Sequence, residues 1–304
     1  YPTLFKYVDI IRGTIKSMGI HACGTVVSPF PLEDSIGLCS SKSDPHPVSQ
    51  LNMKELDSLN FVKLDILGLD TMDLINTTCK LANIPRLNPN NTPSDEKVWE
   101  DIYKDTTCIF QWESDMATSF LRKLFSKETL AKIKEQNPNF SYIDLLSIGN
   151  GAIRPAGASY RDALSRGEYR DNGNAEINDF LKSTLGNMVF QEQIMGFLNK
   201  FCGYSMGESD GVRRAIGKKT GTEVLLPEIK IRFIKEMSDN HGLTEKEASE
   251  LIGDFLQVIL DASDYAFSLN HSDPYSWTGY ICGYLRYYYP LEFLTTAFNI
   301  YSTK

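Results

Sequence analysis

In Phe61-Val62-Lys63-Leu64-Asp65-Ile66-Leu67 an acid and a base alternate with apolar residues. Period-two alternation is that of a strand, with Val62, Leu64 and Ile66 on one face and Lys63 and Asp65 on the other. The pattern predicts the three apolar residues buried and the charged pair facing an open cleft. Asp65, on a rigid strand just before Gly68, then reads either as a magnesium ligand needing further carboxylates or substrate phosphates, or as half of a weak surface ion pair.

A second constellation lies in residues 203–219, where Arg213, Arg214, Lys218 and Lys219 follow a Gly- and Ser-rich lead. From Glu208 onward a helix would place Arg214 and Lys218 four apart, where like charges repel mildly and an external anion would relieve the cost. Residues 213–235 hold seven basic side chains against Glu223 and Glu228, in a chain whose net charge is −8. Such a local excess suits polyphosphate. The other reading is a solvated face that Asp210, four residues before Arg214, already neutralises.

Residues 149–157, Gly149-Asn150-Gly151-Ala152-Ile153-Arg154-Pro155-Ala156-Gly157, read as a glycine-rich loop that either cradles a phosphate beside Arg154 or is an ordinary turn. The late aromatic residues, among them Tyr275, Trp277, Tyr280, Tyr284 and Tyr288, either stack bases or fill a helix core. The four histidines show no zinc spacing, and no Cys/His arrangement supports nucleophilic catalysis.

These residues need elements to hold them. Short β-branched runs at 24–27 and 61–67 predict strands, and residues 33–49, with five serines and Pro45 and Pro47, predict a surface loop. Past residue 70 the period becomes helical, most clearly where Phe190, Ile194, Phe197, Leu198 and Phe201 form one stripe. Further helices are predicted at 70–83, 94–104, 114–125, 223–240, 244–261 and 290–301. With 42% hydrophobic and 23% charged residues over 304 positions, the chain should fold as about two domains. An acidic balance argues against non-specific coating of nucleic acid. Six scattered cysteines exclude a disulfide framework and suit a reducing cytoplasm, and neither a membrane span nor a signal peptide is expected.

Taken in order, several stretches resemble the bacterial DNA polymerase III alpha subunits, the C-family replicative polymerases. They are Gly19-Ile20-His21-Ala22-Cys23-Gly24, 62–69, Phe110-Gln111-Trp112-Glu113-Ser114, Arg154-Pro155-Ala156-Gly157, Phe190-Gln191-Glu192-Gln193-Ile194-Met195, 203–219, Asn270-His271-Ser272 and Tyr289-Pro290-Leu291-Glu292-Phe293. The resemblance implies an α+β, mostly helical chain: the end of a thumb at 1–19, the second part of a small mixed-sheet palm of polymerase beta-like type at 20–70, and incomplete helical fingers at 71–304. By motif, Asp65 is a catalytic carboxylate holding Mg2+ and Lys63 the palm lysine. Arg213 and Arg214, supported by Lys218, Lys219 and Arg154, face the nucleotide, and Asn270 and His271 contact DNA.

The family's partners would be primer-template DNA, deoxynucleoside triphosphates, the sliding clamp and other replisome subunits. Its other two carboxylates sit in a D-x-D motif that has no counterpart in these 304 residues. An excised, catalytically inactive polymerase fragment is therefore expected, the alternative being a non-catalytic nucleic-acid-binding or assembly module descended from the polymerase. The family's R-P-G-P reads Arg154-Pro155-Ala156-Gly157 here, and its F-N-K-S-H reads Phe267-Ser268-Leu269-Asn270-His271.

Overall fold

The computed structural model describes residues 2–14, 19–21, 23–40, 46–66 and 68–302. Parts of the expected thumb end, of the 33–49 loop, of the histidine–cysteine stretch (Ala22) and of the charged strand (Leu67) lie outside the described residues. The chain divides into two compact units, Tyr1–Leu69 and Asp70–Lys304.

In the first unit, helix α1 (Pro2–Ile11) precedes strand β1 (Gly24–Val27), short strands β2 (Leu38–Cys39) and β3 (Val48–Ser49), helix α2 (Met53–Ser58) and strand β4 (Val62–Asp65). Strands β1 and β4 pair antiparallel with Gly24 opposite Asp65 and Val27 opposite Val62, and β2 pairs antiparallel with β3. The polar stretch at 33–49 is therefore not loop throughout. Two-residue strands are too short to show a period, and this pair is extended instead by Gln50, whose N–H donates to Gly37 O at 2.9 Å and whose Nε2 donates to Leu38 O at 3.2 Å. Asn52 starts α2 with a capping box: its Oδ1 accepts from Lys54 and Glu55 N–H, while Glu55 returns a bond to Asn52 N–H.

The second unit is helical: α3 (Asp70–Leu81), α4 (Glu96–Lys104), α5 (Asp115–Leu124), α6 (Lys127–Gln136), α7 (Tyr142–Ala152), α8 (Arg161–Ser165), α9 (Ala175–Phe180), α10 (Gln191–Cys202), α11 (Met206–Gly217), α12 (Thr222–Asn240), α13 (Glu245–Tyr265), α14 (Leu269–Tyr288) and α15 (Pro290–Tyr301). Side-chain oxygens of Ser114, Ser126, Ser141, Ser205 and Thr244 cap the helices that follow them. The starts at Ser114 and Thr244 are those the sequence predicts, whereas the helices after Ser126 and Ser141 are not among those it predicts. The helices close around two apolar cores. One gathers α3 to α8 with α14 and α15 around Trp99, Trp112 and Tyr280; the other gathers α9 to α13 around Phe197, Phe201 and Phe233. The fold is thus α+β and mostly helical, with the sheet content of the described residues made of two antiparallel pairs and one isolated bridge between Phe190 and Phe267.

Candidate functional site

Strand β4 places Lys63 and Asp65 on one face, as the alternation requires, and Lys63 Nζ lies 3.0 Å from Asp65 Oδ1. Asp65 is exposed, whereas the Lys63 stem is covered, its Nζ 3.6 Å from Met53 Sδ on α2. His21 Nδ1 stands 3.9 Å from the same carboxylate oxygen, but it accepts the Cys23 N–H at 3.2 Å and so has no proton there to offer Asp65.

The expected burial of Val62, Leu64 and Ile66 is overturned: they are 57%, 49% and 69% exposed. A two-stranded ladder has only one layer, and among the described residues of its unit nothing lies over that apolar face. The period therefore predicted which residues share a face and not which face is covered.

The basic run folds as a helix start, helix and helix end. Gly203 closes α10 with φ +66°, a left-handed value that glycine adopts without strain. Ser205 then caps α11. On α11, Asp210 holds both arginines: Arg213 Nη2 donates to Oδ1 at 2.8 Å and Arg214 Nε lies 2.9 Å from Oδ2. Hydrogen bonding to Arg213, aided by the charges of both arginines, holds the Asp210 carboxyl below its ordinary range. The arginines differ in access, since the Arg213 side chain is 16% exposed and that of Arg214 66%. Lys218 and Lys219 are exposed at the helix end, where cations complement the carbonyl pole.

Residues 149–157 are not a loop. Gly149, Asn150 and Gly151 are buried in the last turns of α7, and a 3-10 turn (Pro155–Ser159) follows. A helix C-terminus presents carbonyls, the wrong polarity for a phosphate. Here Arg161 answers them, its Nε donating to Ala152 O at 2.7 Å and its Nη2 to Arg154 O at 2.8 Å. The glycines serve close packing: a Cβ on Gly151 would lie 2.5 Å from Val189 Cγ1, and one on Gly157 would lie 2.0 Å from Ala152 O. Gly157→Ala should therefore lower the stability of the chain by about 2 kcal/mol through overpacking. The urea midpoint measures this, and an unchanged midpoint contradicts the packing role.

Arg154 is instead brought to the start of α14. Its guanidinium sits 4.5 Å from the centre of the Phe267 ring, and its Nη2 lies 3.5 Å from Gln111 Oε1. His271 packs edge-on to Phe267 at 5.2 Å and lies 3.9 Å from Tyr275, which meets Phe110 at 4.9 Å. Burial, and secondly the charge of Arg154, push the His271 imidazole below its ordinary pKa. Asn270 is exposed in the same turn. Arg154 precedes Phe267 and His271 by over a hundred positions, and only the fold joins them.

Most late aromatic residues fill the core. Tyr280 is fully buried and stacked on Trp99 at 4.5 Å, while Tyr287 and Tyr288 remain partly exposed. Gly203-Tyr204-Ser205-Met206-Gly207 also has the G-x-S-x-G spacing of a nucleophile elbow. It follows a helix and not a strand, and Ser205 Oγ donates to Glu208 Oε2 at 2.8 Å while accepting the Glu208 N–H. That serine is a helix cap. Among the described residues no group of three His, Cys, Asp or Glu side chains could hold a metal ion, and no helix is long and apolar enough to cross a membrane.

Two family models match this chain. Residues 1–68 match the bacterial DNA polymerase III alpha NTPase domain, and residues 156–241 match the bacterial DNA polymerase III alpha subunit finger domain. Curated relatives span nearly all of it: the DNA polymerase III subunit alpha of Ureaplasma parvum is 29% identical over 97% of this chain, and that of Thermus aquaticus 28% identical over 95%. The chain belongs to the bacterial DNA polymerase III alpha-subunit family. It spans 29% and 23% of the length of those two relatives.

Within the DNA polymerase III alpha family pattern, the Leu269 departure has a structural setting. Its side chain is 39% exposed, and its backbone N–H is engaged by Glu192 of α10 at 2.8 Å. The backbone is thus held while the side chain carries no charge.

Proposed function

We propose that this chain forms palm and fingers parts of a DNA-templated DNA polymerase, which adds deoxynucleoside triphosphates to a primer 3′ end. On this reading residues 1–19 end the thumb, residues 20–70 belong to the palm, and residues 71–304 are fingers. The observation that carries it is the exposed Asp65 carboxylate on a strand, in a chain whose α11 also bears the paired Arg213 and Arg214.

Asp65 fits as one ligand of a divalent ion such as Mg2+, but the described residues do not complete a metal site, so no step is derived through the ion. Such an ion supplies charge stabilisation to phosphoryl transfer. This chain's residues would do the rest. Lys63, held at 3.0 Å from Asp65, keeps that carboxylate oriented. The arginines offer forked donors to phosphate oxygens, with Lys218 and Lys219 as point charges. Asp210 pre-orients both guanidinium groups before an anion arrives. Arg154, with Asn270 and His271, would present a mixed aromatic and basic surface to nucleotide or DNA. Primer-template, the sliding clamp and other replisome subunits are the partners this function entails.

The test is primer extension by the complete polymerase carrying this segment. Arg214→Ala should lower kcat and raise the apparent nucleotide constant, reducing kcat/KM by about 10- to 100-fold, with duplex affinity little changed at fixed salt. A variant that binds DNA poorly yet incorporates normally once bound would mark a template-backbone contact. In the same assay the 304-residue chain alone should show no templated extension, because it supplies too few carboxylates. A non-catalytic binding module is the second reading, favoured by Asp210 already engaging both arginines; extension that survives Asp65→Ala would support it.

A further inference from the structure

The first turn of α14 carries Asn270 and His271, yet its N-cap residue Ser268 makes no side-chain bond to its own helix. The cap comes instead from α10. Glu192 Oε1 accepts from Ser268 Oγ at 2.8 Å, and Glu192 Oε2 accepts from Leu269 N–H at 2.8 Å. A carboxylate at a helix N-terminus gains from the unpaired N–H groups and from the helix dipole.

The neighbouring backbone makes the same connection. Gln191 N–H donates to Phe267 O at 2.9 Å, Phe267 N–H to Val189 O at 3.3 Å, and Gln191 Nε2 to Ala266 O at 2.9 Å. Residues 189–192 thus grip residues 266–269. Helix α10 packs in the same core as α11, which bears Arg213 and Arg214, whereas α14 packs in the other core. The grip is a joint between the two cores.

We infer that Glu192 is a positioning residue: by capping α14 from α10 it sets where Phe267, His271 and the Arg154 guanidinium stand relative to the arginine helix. Its consequence for nucleotide binding rests on the polymerase reading, whereas the geometry does not. Glutamine can reproduce both bonds, its carbonyl oxygen accepting from Leu269 N–H and its amide donating to Ser268 Oγ. Alanine can make neither.

The experiment uses the 304-residue chain, whose four histidines give few imidazole signals to follow by NMR. In Glu192→Ala the first turn of α14 should fray, His271 should leave the Phe267 and Tyr275 rings, and its lowered pKa should rise toward the ordinary imidazole range. Affinity for dATP with magnesium should fall about fivefold. Glu192→Gln should restore both to near wild type, which a merely charge-based role would not give, and Glu192→Met, which keeps the length but makes neither bond, should behave as alanine does, which a bulk-packing role would not give. If Glu192→Ala unfolds, Ser268→Ala, which removes one of the two bonds, should give the same shift at smaller size. Unchanged His271 titration in a folded Glu192→Ala, or Glu192→Gln behaving as alanine does, overturns the inference. Absence of dATP binding by the wild-type chain would count against the polymerase reading alone, because the imidazole titration still decides the positioning claim.

Discussion

Asp65→Ala in the complete polymerase is expected to lower the polymerisation rate by at least about 10³-fold, roughly 4 kcal/mol of transition-state stabilisation. The carboxylate is exposed on the short ladder of β1 and β4 and paired with Lys63, and among the described residues it is part of no group of three His, Cys, Asp or Glu side chains that could hold a metal ion. Because it is solvated, its removal should disturb folding little, within about 0.5 kcal/mol. Primer-template affinity should hardly change, since a ligand for an ion contributes to the reacting phosphate and not to the duplex. Single-turnover incorporation together with a separate DNA-binding titration measures both quantities. Asp65→Asn should be nearly as slow, which separates charge from shape. A fast Asp65→Ala enzyme ends the ligand assignment.

Arg286→Ala should destabilise the chain by about 3 kcal/mol, the largest stability effect expected from the network it serves. Arg286, on α14, is buried, with its side chain 8% exposed. Its Nη2 donates to Asp101 Oδ2 at 2.7 Å and to Asp105 O at 2.6 Å, and its Nη1 donates to Thr107 O at 2.6 Å. One planar fork therefore closes the C-terminal end of α4, a carbonyl-rich end that favours a cation. Without it, the backbone carbonyls of Asp101, Asp105 and Thr107 lose their charged donor and the Asp101 carboxylate loses its partner. Asp101 is a third exposed, so water screens part of that loss, which keeps the expected cost at the lower end for a broken buried pair. Arg286→Lys should recover little, because one ammonium cannot reach all three acceptors. The chemical-denaturation midpoint decides it, and a loss below about 1 kcal/mol would show that the network is dispensable.

Helices α3, α4, α5, α10, α12, α13 and α15 were legible because their information is local, whereas α6 to α9 were not read from the sequence. The stripe of Ile194, Phe197, Leu198 and Phe201 is buried throughout, and Ser205, Thr244 and Ser114 mark the starts of the helices they cap. Local pattern was also enough to place Lys63 with Asp65 on one strand face, and to put Arg213 and Arg214 on a helix with Asp210 in reach. The same pattern misread residues 149–157, because glycine allows a tight turn and also allows close helix packing. Only contact with Val189 and Ala152 separates the two. It likewise assigned burial to Val62, Leu64 and Ile66, a property that depends on a second layer and not on alternation.

Tertiary structure alone decided the rest. The meeting of Arg154 with Phe267 and His271, and the capping of α14 by Glu192, join segments separated by 76 to 117 positions. Such contacts leave no periodic trace, because the bond is made between side chains whose own neighbours obey different periods. Hydrophobic spacing determined which helices form and which side each buries. Which ends those helices bring together was set by the packing of two separate cores, and that is where the polar residues of this chain acquire their partners.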